Sequence, residues 1–322
     1  MKCLYLLLFS ALILVGFIAL DKPTFSIDGF EKKSLSELYN FMKTPKGEWP
    51  EEFEVNTVVP SLVEGIKVTY VNHATFLIQI NKKNILIDPI WSMYASPVQF
   101  AGPKRIHEPG INFDDLPRID YVLITHNHYD HLDLSTLKKL YSVYEPKFLV
   151  GLELDKYLQK KIHKDLNVTS LNWGENFVEN DVEFVFEKAF HWSKRGMFDY
   201  NDTLWGSFVI KALGRTLYHA GDTGYSNHFK EIGEKYEIDF AMLPVGDYEP
   251  RWFMKQSHTT PLEAFTAMQE LSARQAVGMH FGTFQLASNS YQKVFDDFNK
   301  ASDKFPDLNF VLPNVAQEFY VE

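Results

Sequence analysis

The strongest chemical signal in the chain is Thr-His-Asn-His-Tyr-Asp-His-Leu-Asp at residues 125–133. It follows an apolar run, Tyr-Val-Leu-Ile, and precedes a stretch with helical spacing. His126 and His128 stand two apart, so an extended backbone aims both imidazoles to one side. Asp130 and His131 come as the chain turns toward the helix, and serve a second position close by. Neutral imidazoles and carboxylates are the ligand set of a borderline divalent ion such as zinc. Four ligand-type residues in six positions at a strand end outweigh the alternative, a polar turn without metal. The chain has one cysteine, Cys3, so a multi-thiolate site and an intrachain disulfide are both excluded.

Further donors end other apolar runs. His191 closes VEFVFEKAFH, Asp222 sits in HAGDTG beside Gly221 and Gly224, and His280 closes AVGMH. Singly each is weak, because a lone histidine at a strand end is more often hydrogen-bonded structure. Together with the first cluster they complete two ligand shells. Asp222 is the carboxylate suited to bridging two ions about 3.5–4 Å apart. Asp88 in ILIDP ends another strand and is expected to fix the tautomer of a metal-bound imidazole, against the alternative of a turn-forming Asp before Pro89. His258 lies just ahead of a helix start, with Thr260 as N-cap, Pro261 at the first position and Glu263 at the third. Its alternative is a solvent-exposed loop histidine. Tyr248, Glu249, Arg251 and Trp252 form a YEPRW turn in which Arg251 serves equally well as a substrate group or a structural salt bridge. His73 in NHAT is a further candidate to approach the site, whereas His107, His163, His219 and His228 read as ordinary surface or structural histidines.

The elements that must position these residues make an α/β layered domain of mixed sheets. Strand patterns fall at 66–72, 76–80, 85–87, 121–125, 148–151, 182–190, 207–211, 215–219, 240–244 and 276–279. Helical patterns fall at 134–144, 155–164, 228–236, 261–271 and 291–299. Two segments echo each other, RIDYVLITHN and EIDFAMLPVG, each an acidic residue, a buried strand and a polar turn. The chain divides into an apolar leader at 1–20, a linker and N-terminal extension at 21–62, and a catalytic domain at 63–322. The extension holds one short helical stretch at 35–42, with Ser34 as N-cap and Glu37 three residues on. The leader is apolar from residue 3 to 20 and reads as an uncleaved anchor or a cleaved export signal. Either places the protein at or across a membrane. The flanking lysines, Lys2, Lys22, Lys32 and Lys33, do not fix the side.

The HNHYDH motif with its downstream His, Asp and His resembles the metallo-β-lactamase superfamily. That implies an αββα sandwich of two mixed sheets flanked by helices, with metals at one edge between the sheets. HWSKRG, LWGSF, AGDTGY, YEPRWFMK and MHFGTF together resemble the N-acylphosphatidylethanolamine-hydrolysing phospholipase D family. By that resemblance two Zn2+ ions, or another divalent metal, are implied. One would be held by His126, His128 and His191, the other by Asp130, His131 and His280, with Asp222 and a hydroxide between them. His258 would face the metals and contact the phosphate or leaving group, and Tyr248 and Arg251 would be substrate or supporting groups. The implied reaction is hydrolysis of a phosphodiester to phosphatidic acid and an N-acylethanolamine. Three positions depart from the family: Ser257 where an amide residue is common, Phe281 where Trp is common, and Asp247 where a small residue is expected. An added carboxylate at 247 near an anionic substrate would repel it unless a cation such as Arg251 intervened. These departures put the identity of the lipid in doubt and leave the metals intact.

A metal-bound hydroxide attacks lactones or small esters as well as phosphodiesters, so a lactonase on the same site is the runner-up. A metal-stabilised scaffold without turnover is a third reading, disfavoured because a structural zinc site closes with four ligands and needs no second ion. The net charge of −10 disfavours nucleic acid as partner. A di-iron redox enzyme is disfavoured by His128, where that chemistry expects an acidic residue. The expected partner is a phospholipid at a membrane, and a homodimer is compatible with the reading.

Overall fold

The computed structural model describes residues 24–322. The apolar leader, and with it the expectation of an anchor or export signal, lies outside the described residues. Among the described residues no helix is long and apolar enough to cross a membrane.

The strands in chain order are β1 (Ile66–Asn72), β2 (Thr75–Ile80), β3 (Lys83–Ile87), β4 (Tyr121–Ile124), β5 (Lys147–Gly151), β6 (Val168–Leu171), β7 (Asn176–Glu179), β8 (Val182–Glu187), β9 (Ser207–Ala212), β10 (Arg215–His219), β11 (Phe240–Pro244), β12 (Gln275–Met279), β13 (Phe310–Val311) and β14 (Glu318–Val321). The helices are α1 (Leu35–Lys43), α2 (Leu134–Tyr144), α3 (Leu154–Lys161), α4 (His228–Lys235), α5 (Arg251–Met254), α6 (Pro261–Glu270) and α7 (Tyr291–Ser302). One sheet runs β14–β1–β2–β3–β4–β5–β6 and the other β13–β12–β11–β10–β9–β8–β7.

Alternation along the strands builds the layers. In β2, Phe76, Ile78 and Ile80 enter the core between the sheets while Leu77 faces the other way. In β3 and β4, Ile85, Ile87, Tyr121 and Leu123 point inward, and Leu86, Val122 and Ile124 pack outward under α2 and α3 with Leu137, Leu140 and Leu158. Both faces of these strands are covered, which is why they read as unbroken apolar runs. The second sheet supplies Phe184, Phe186, Phe208, Ile210 and Leu217 to the central core, and α6 covers it through Phe265 against β11, α4 and α7. Helices therefore flank two mixed sheets, the expected αββα arrangement.

The echo between the two segments is structural. β2–β3 is antiparallel and β3–β4–β5 parallel; β9–β10 is antiparallel and β10–β11–β12 parallel. Asp120 heads β4 and accepts the backbone N–H of Asn84 at 3.0 Å; Asp239 heads β11 and accepts that of Thr216 at 2.8 Å. The same carboxylate clamps a hairpin to the next parallel strand in each half. As a result, both halves deliver the ends of their parallel strands to one edge.

The extension at 24–62 runs along the body and joins it by backbone bonds, Phe25 N–H to Asn201 O, Gly47 N–H to Ser288 O, Phe53 N–H to Ile106 O and Val58 N–H to Gly110 O. Its one helix, α1, carries the expected capping box of Ser34 and Glu37.

Candidate metal centre

The HNHYDH segment leaves β4 and enters α2. Asp133 caps that helix by accepting the Ser135 N–H at 3.0 Å, so the four donors fall in the short turn between strand and helix. Asp222 follows β10 by way of Gly221, whose φ of +60° and lack of a Cβ let the loop pass against Gly206 and Thr125. His219, read as structural, braces this loop: its Nε2–H donates to the Ala74 carbonyl at 3.0 Å and its Nδ1 accepts the Gly221 N–H at 3.2 Å. His280 follows β12 directly. His191 was expected at a strand end, but β8 stops at Glu187. The chain then leaves the sheet, with the Phe190 N–H donated to Thr223 Oγ1 at 2.9 Å, and a loop presents His191.

Two donor sets result. In the first, His126 Nε2 lies 2.8 Å and His191 Nε2 3.2 Å from His128 Nδ1. The same two Nε2 atoms lie 3.8 and 3.7 Å from Asp222 Oδ2. In the second, Asp130 Oδ2 lies 3.3 Å from His131 Nε2 and 3.2 Å from His280 Nε2. These two nitrogens lie 3.2 and 3.1 Å from the other oxygen of Asp222, Oδ1. Zinc–nitrogen bonds of about 2.0–2.1 Å make a tetrahedron with edges of about 3.3 Å. Both sets have that size, and Asp222 turns one oxygen to each. His131 Nε2 and Asp222 Oδ1 are buried without a hydrogen-bond partner, as donors aimed at a cation would be.

The opposite ring nitrogens fix the tautomers. Asp88 Oδ2 lies 2.7 Å from His131 Nδ1, and Asp88 also accepts the N–H and hydroxyl of Thr125 at 2.8 and 2.6 Å. Thr125 Oγ1 lies 3.0 Å from His126 Nδ1, and the carbonyl of Ser257 3.1 Å from His191 Nδ1. The sequence assigned no role to Thr125 or to a main-chain oxygen at Ser257; a backbone acceptor leaves no mark on residue type. His73 Nε2 reaches Asp130 Oδ2 at 2.9 Å. His73, Asp88, Asp247 and His280 all have positive φ, between 43° and 60°. Left-handed backbone at non-glycine residues, clustered at one site, is a mark of functional constraint.

Burial holds His126 and His191 well below the usual imidazole range and His128 down to about 4, so each stays neutral, the ligating form. Burial works against ionising Asp222, but the imidazoles of His131 and His280 overcome it and hold the carboxyl well below its usual range.

His258 is buried, not exposed, with its ring centroid 5.1 Å from that of His280 and 5.6 Å from that of His191. Arg251 donates to the His258 carbonyl at 2.7 Å and to both oxygens of Glu263 at 2.6 Å. It takes the structural part, holding the His258 loop to the capping box of α6. Tyr248 is buried and its hydroxyl donates to Asp297 at 2.8 Å, so its polar end is committed to α7. Asp247 is buried and turned to the back of His280, its Oδ2 3.2 Å from Nδ1, rather than toward open space where a substrate was expected. The left-handed φ of 53° at Asp247 turns the side chain there, which residue type does not disclose.

A sequence profile described as "Beta-lactamase superfamily domain" matches residues 83–281. N-acyl-phosphatidylethanolamine-hydrolyzing phospholipase D 1 of Caenorhabditis elegans is 35% identical over 267 residues, 79% of this chain and 75% of the relative. The mitochondrial N-acyl-phosphatidylethanolamine-hydrolyzing phospholipase D of Saccharomyces cerevisiae is 35% identical over 219 residues, 66% of this chain and 46% of the relative. A metallo hydrolase of the archaeon Ignicoccus hospitalis shares the fold, with a TM-score of 0.59 at 22% identity over 80% of this chain and 98% of its own. Fold and donor sets define a metal-dependent hydrolase. The chain belongs to the beta-lactamase superfamily and, within it, to the family of the N-acyl-phosphatidylethanolamine-hydrolysing phospholipases D.

Proposed function

We propose that the protein is a dinuclear zinc phosphodiesterase that cleaves N-acylated phosphatidylethanolamine to phosphatidic acid and an N-acylethanolamine. The observation that carries this reading is an apolar cavity beside the donor sets. It measures about 240 Å³ and is walled by Phe30, Leu38, Phe41, Trp192, Tyr200 and Phe253. Trp192 joins cavity to centre, its ring 4.5 Å from that of His128. Ser257, whose carbonyl faces His191, lines the cavity too. Lys32 and Lys33 also line it. A hydrocarbon slot with cationic rim groups, next to a centre built for cations, suits a molecule that joins an acyl chain to a phosphate.

Ions bound by the two sets would lower the pKa of a shared water and stabilise charge on the phosphoryl oxygens. The chain's own part is positioning. Asp222 spans the two sets. Asp88, Thr125 and the Ser257 carbonyl turn the imidazoles so that their lone pairs converge. Burial, only partly opposed by Asp222, keeps His258 below the usual imidazole range, so it is neutral and offers one N–H to a phosphoryl or leaving oxygen. Arg251 fixes the main chain from which it does so.

The test is the zinc-loaded protein with N-acylphosphatidylethanolamine in detergent micelles, products followed by mass spectrometry. Matched release of phosphatidic acid and N-acylethanolamine is expected, lost on chelation and in Asp222→Asn. A protein that holds two zinc ions and releases neither product overturns the substrate, and turnover of lactones by it would install the other hydrolase reading.

A further inference from the structure

The two donor sets are backed by different chemistry. Behind the second set stand buried carboxylates: Asp88 at 2.7 Å from His131 Nδ1 and Asp247 at 3.2 Å from His280 Nδ1. Behind the first the direct partners are neutral, the Thr125 hydroxyl for His126, through which Asp88 is reached only at one remove, and the Ser257 carbonyl for His191, while His128 Nε2 has no protein partner. Asp130 adds a further charge to the second set alone, and Asp222 is shared by both. A carboxylate behind a ligating imidazole fixes its tautomer and raises its basicity. In a buried site its charge also acts on a cation with little screening.

Asp247 stands at the position where the sequence reading expects a small residue. It is built in at a conformational cost, with φ at +53°. Gly246 before it has no Cβ, which would overlap the carbonyl oxygen of His280, so the chain after β11 presses against that ligand. One carboxylate oxygen of Asp247 accepts the Ala287 N–H at 3.0 Å, and the other lies 3.2 Å from His280 Nδ1, not aligned for a hydrogen bond but close enough for its charge to act on the ring, whose Nε2 faces Asp130 and Asp222.

We propose that Asp247 is a positioning residue for His280 and that, with Asp88, it makes the Asp130–His131–His280 position the one that takes the first divalent ion and keeps it longest. The His126–His128–His191 position then takes the second, exchangeable ion. This rests on the two-ion reading above, but not on the identity of the substrate.

The experiment strips the full chain of metal with a chelator and titrates it with zinc chloride. Native mass spectrometry counts ions per chain, and calorimetry against a competing chelator measures each step. A one-ion species is expected to fill before the two-ion species. Asp247→Asn keeps an acceptor for Ala287 but sets an amide against His280, and should weaken the first step about 10–100-fold while leaving the second unchanged. His128→Gln should abolish the second step and spare the first. Thermal melts of the metal-free proteins report folding separately, and Asp247→Ala, which removes the carboxylate outright, should reproduce the weakening if the Asn variant is unstable. Simultaneous, equal loading in the native chain overturns the proposal, as does an Asp247 variant with native folding and an unchanged first step. A chain that loads in order and leaves the lipid uncut would sink the substrate reading alone.

Discussion

His258 is placed at a cost that an entering ligand would offset. Its Nδ1 is buried and lacks a hydrogen-bond partner, a penalty of about 1–3 kcal/mol for a polar atom. Its main chain is tied down by Arg251, whose other end is held by Glu263. A residue held so firmly with an unused nitrogen is poised to meet something entering between His191 and His280. His258→Ala is therefore expected to lower kcat by about 10²–10³-fold, the effect of losing one aimed donor to developing negative charge. Zinc content should stay at the native value, since His191 keeps the Ser257 carbonyl and His280 keeps the Asp247 carboxylate 3.2 Å away. Arg251→Met should give a smaller loss, about tenfold, again at full zinc content, because the imidazole remains but its loop is loosened. Metal analysis beside steady-state rates separates the outcomes: loss of zinc in either variant would make these residues part of the ion sites.

At the scale of elements, the titration of one helix start gives a test independent of the metals. His228 opens α4, its ring 4.0 Å from that of Phe229, and burial drives its pKa down to about 3. The unfolded chain titrates near 6.5, so between the two values the unfolded state binds the extra proton and stability falls as pH falls. The loss from this residue is roughly 1.5–2 kcal/mol between pH 6.5 and 5. His107, pushed down to about 4 by burial, acts in the same direction. Urea unfolding of metal-free protein should show a flatter pH dependence for His228→Gln than for the native chain, and parallel profiles would refute the assignment. Elements of this kind were legible where pattern and punctuation agree. Helix 134–144 falls as the spacing predicts, and the capping boxes at Ser34 and Thr260 form as read. β6, β7, β13 and β14 were not legible: they are short or half-exposed edge strands with no apolar run, paired only because a neighbour offers its backbone. The donors of the site were legible because ligands are chemically distinctive residues. What backs them was less so, because the Ser257 carbonyl has no side-chain signature and the direction of Asp247 depends on a backbone angle.

The whole molecule adds a wall that the catalytic sandwich lacks. Residues 24–62 are a strap, joined to the body by main-chain bonds from Phe25 to Val58. α1 within it has no fully buried residue, yet Phe41 stacks on Phe253 at 4.4 Å with the rings 10° from parallel. The strap thereby closes one side of the cavity with Phe30, Leu38 and Phe41. Tyr39 and Met42 flank Phe41 on α1 and Trp252 precedes Phe253 on α5, and all three are exposed. None of residues 24–62 is among the donors, so on the proposed reading the strap acts on substrate choice and not on hydrolysis. Phe41→Asp puts a charge into the cavity wall without touching a donor. Burying one aromatic side chain is worth about 1.5–3 kcal/mol, so kcat/KM toward a long-chain lipid should fall about 10–100-fold. Hydrolysis of a short, water-soluble phosphodiester should keep its native rate, since its bond reaches the same ions without filling the cavity. Equal losses on both substrates would show that the strap supports the centre itself, and no loss on either would remove the cavity from the path of the lipid.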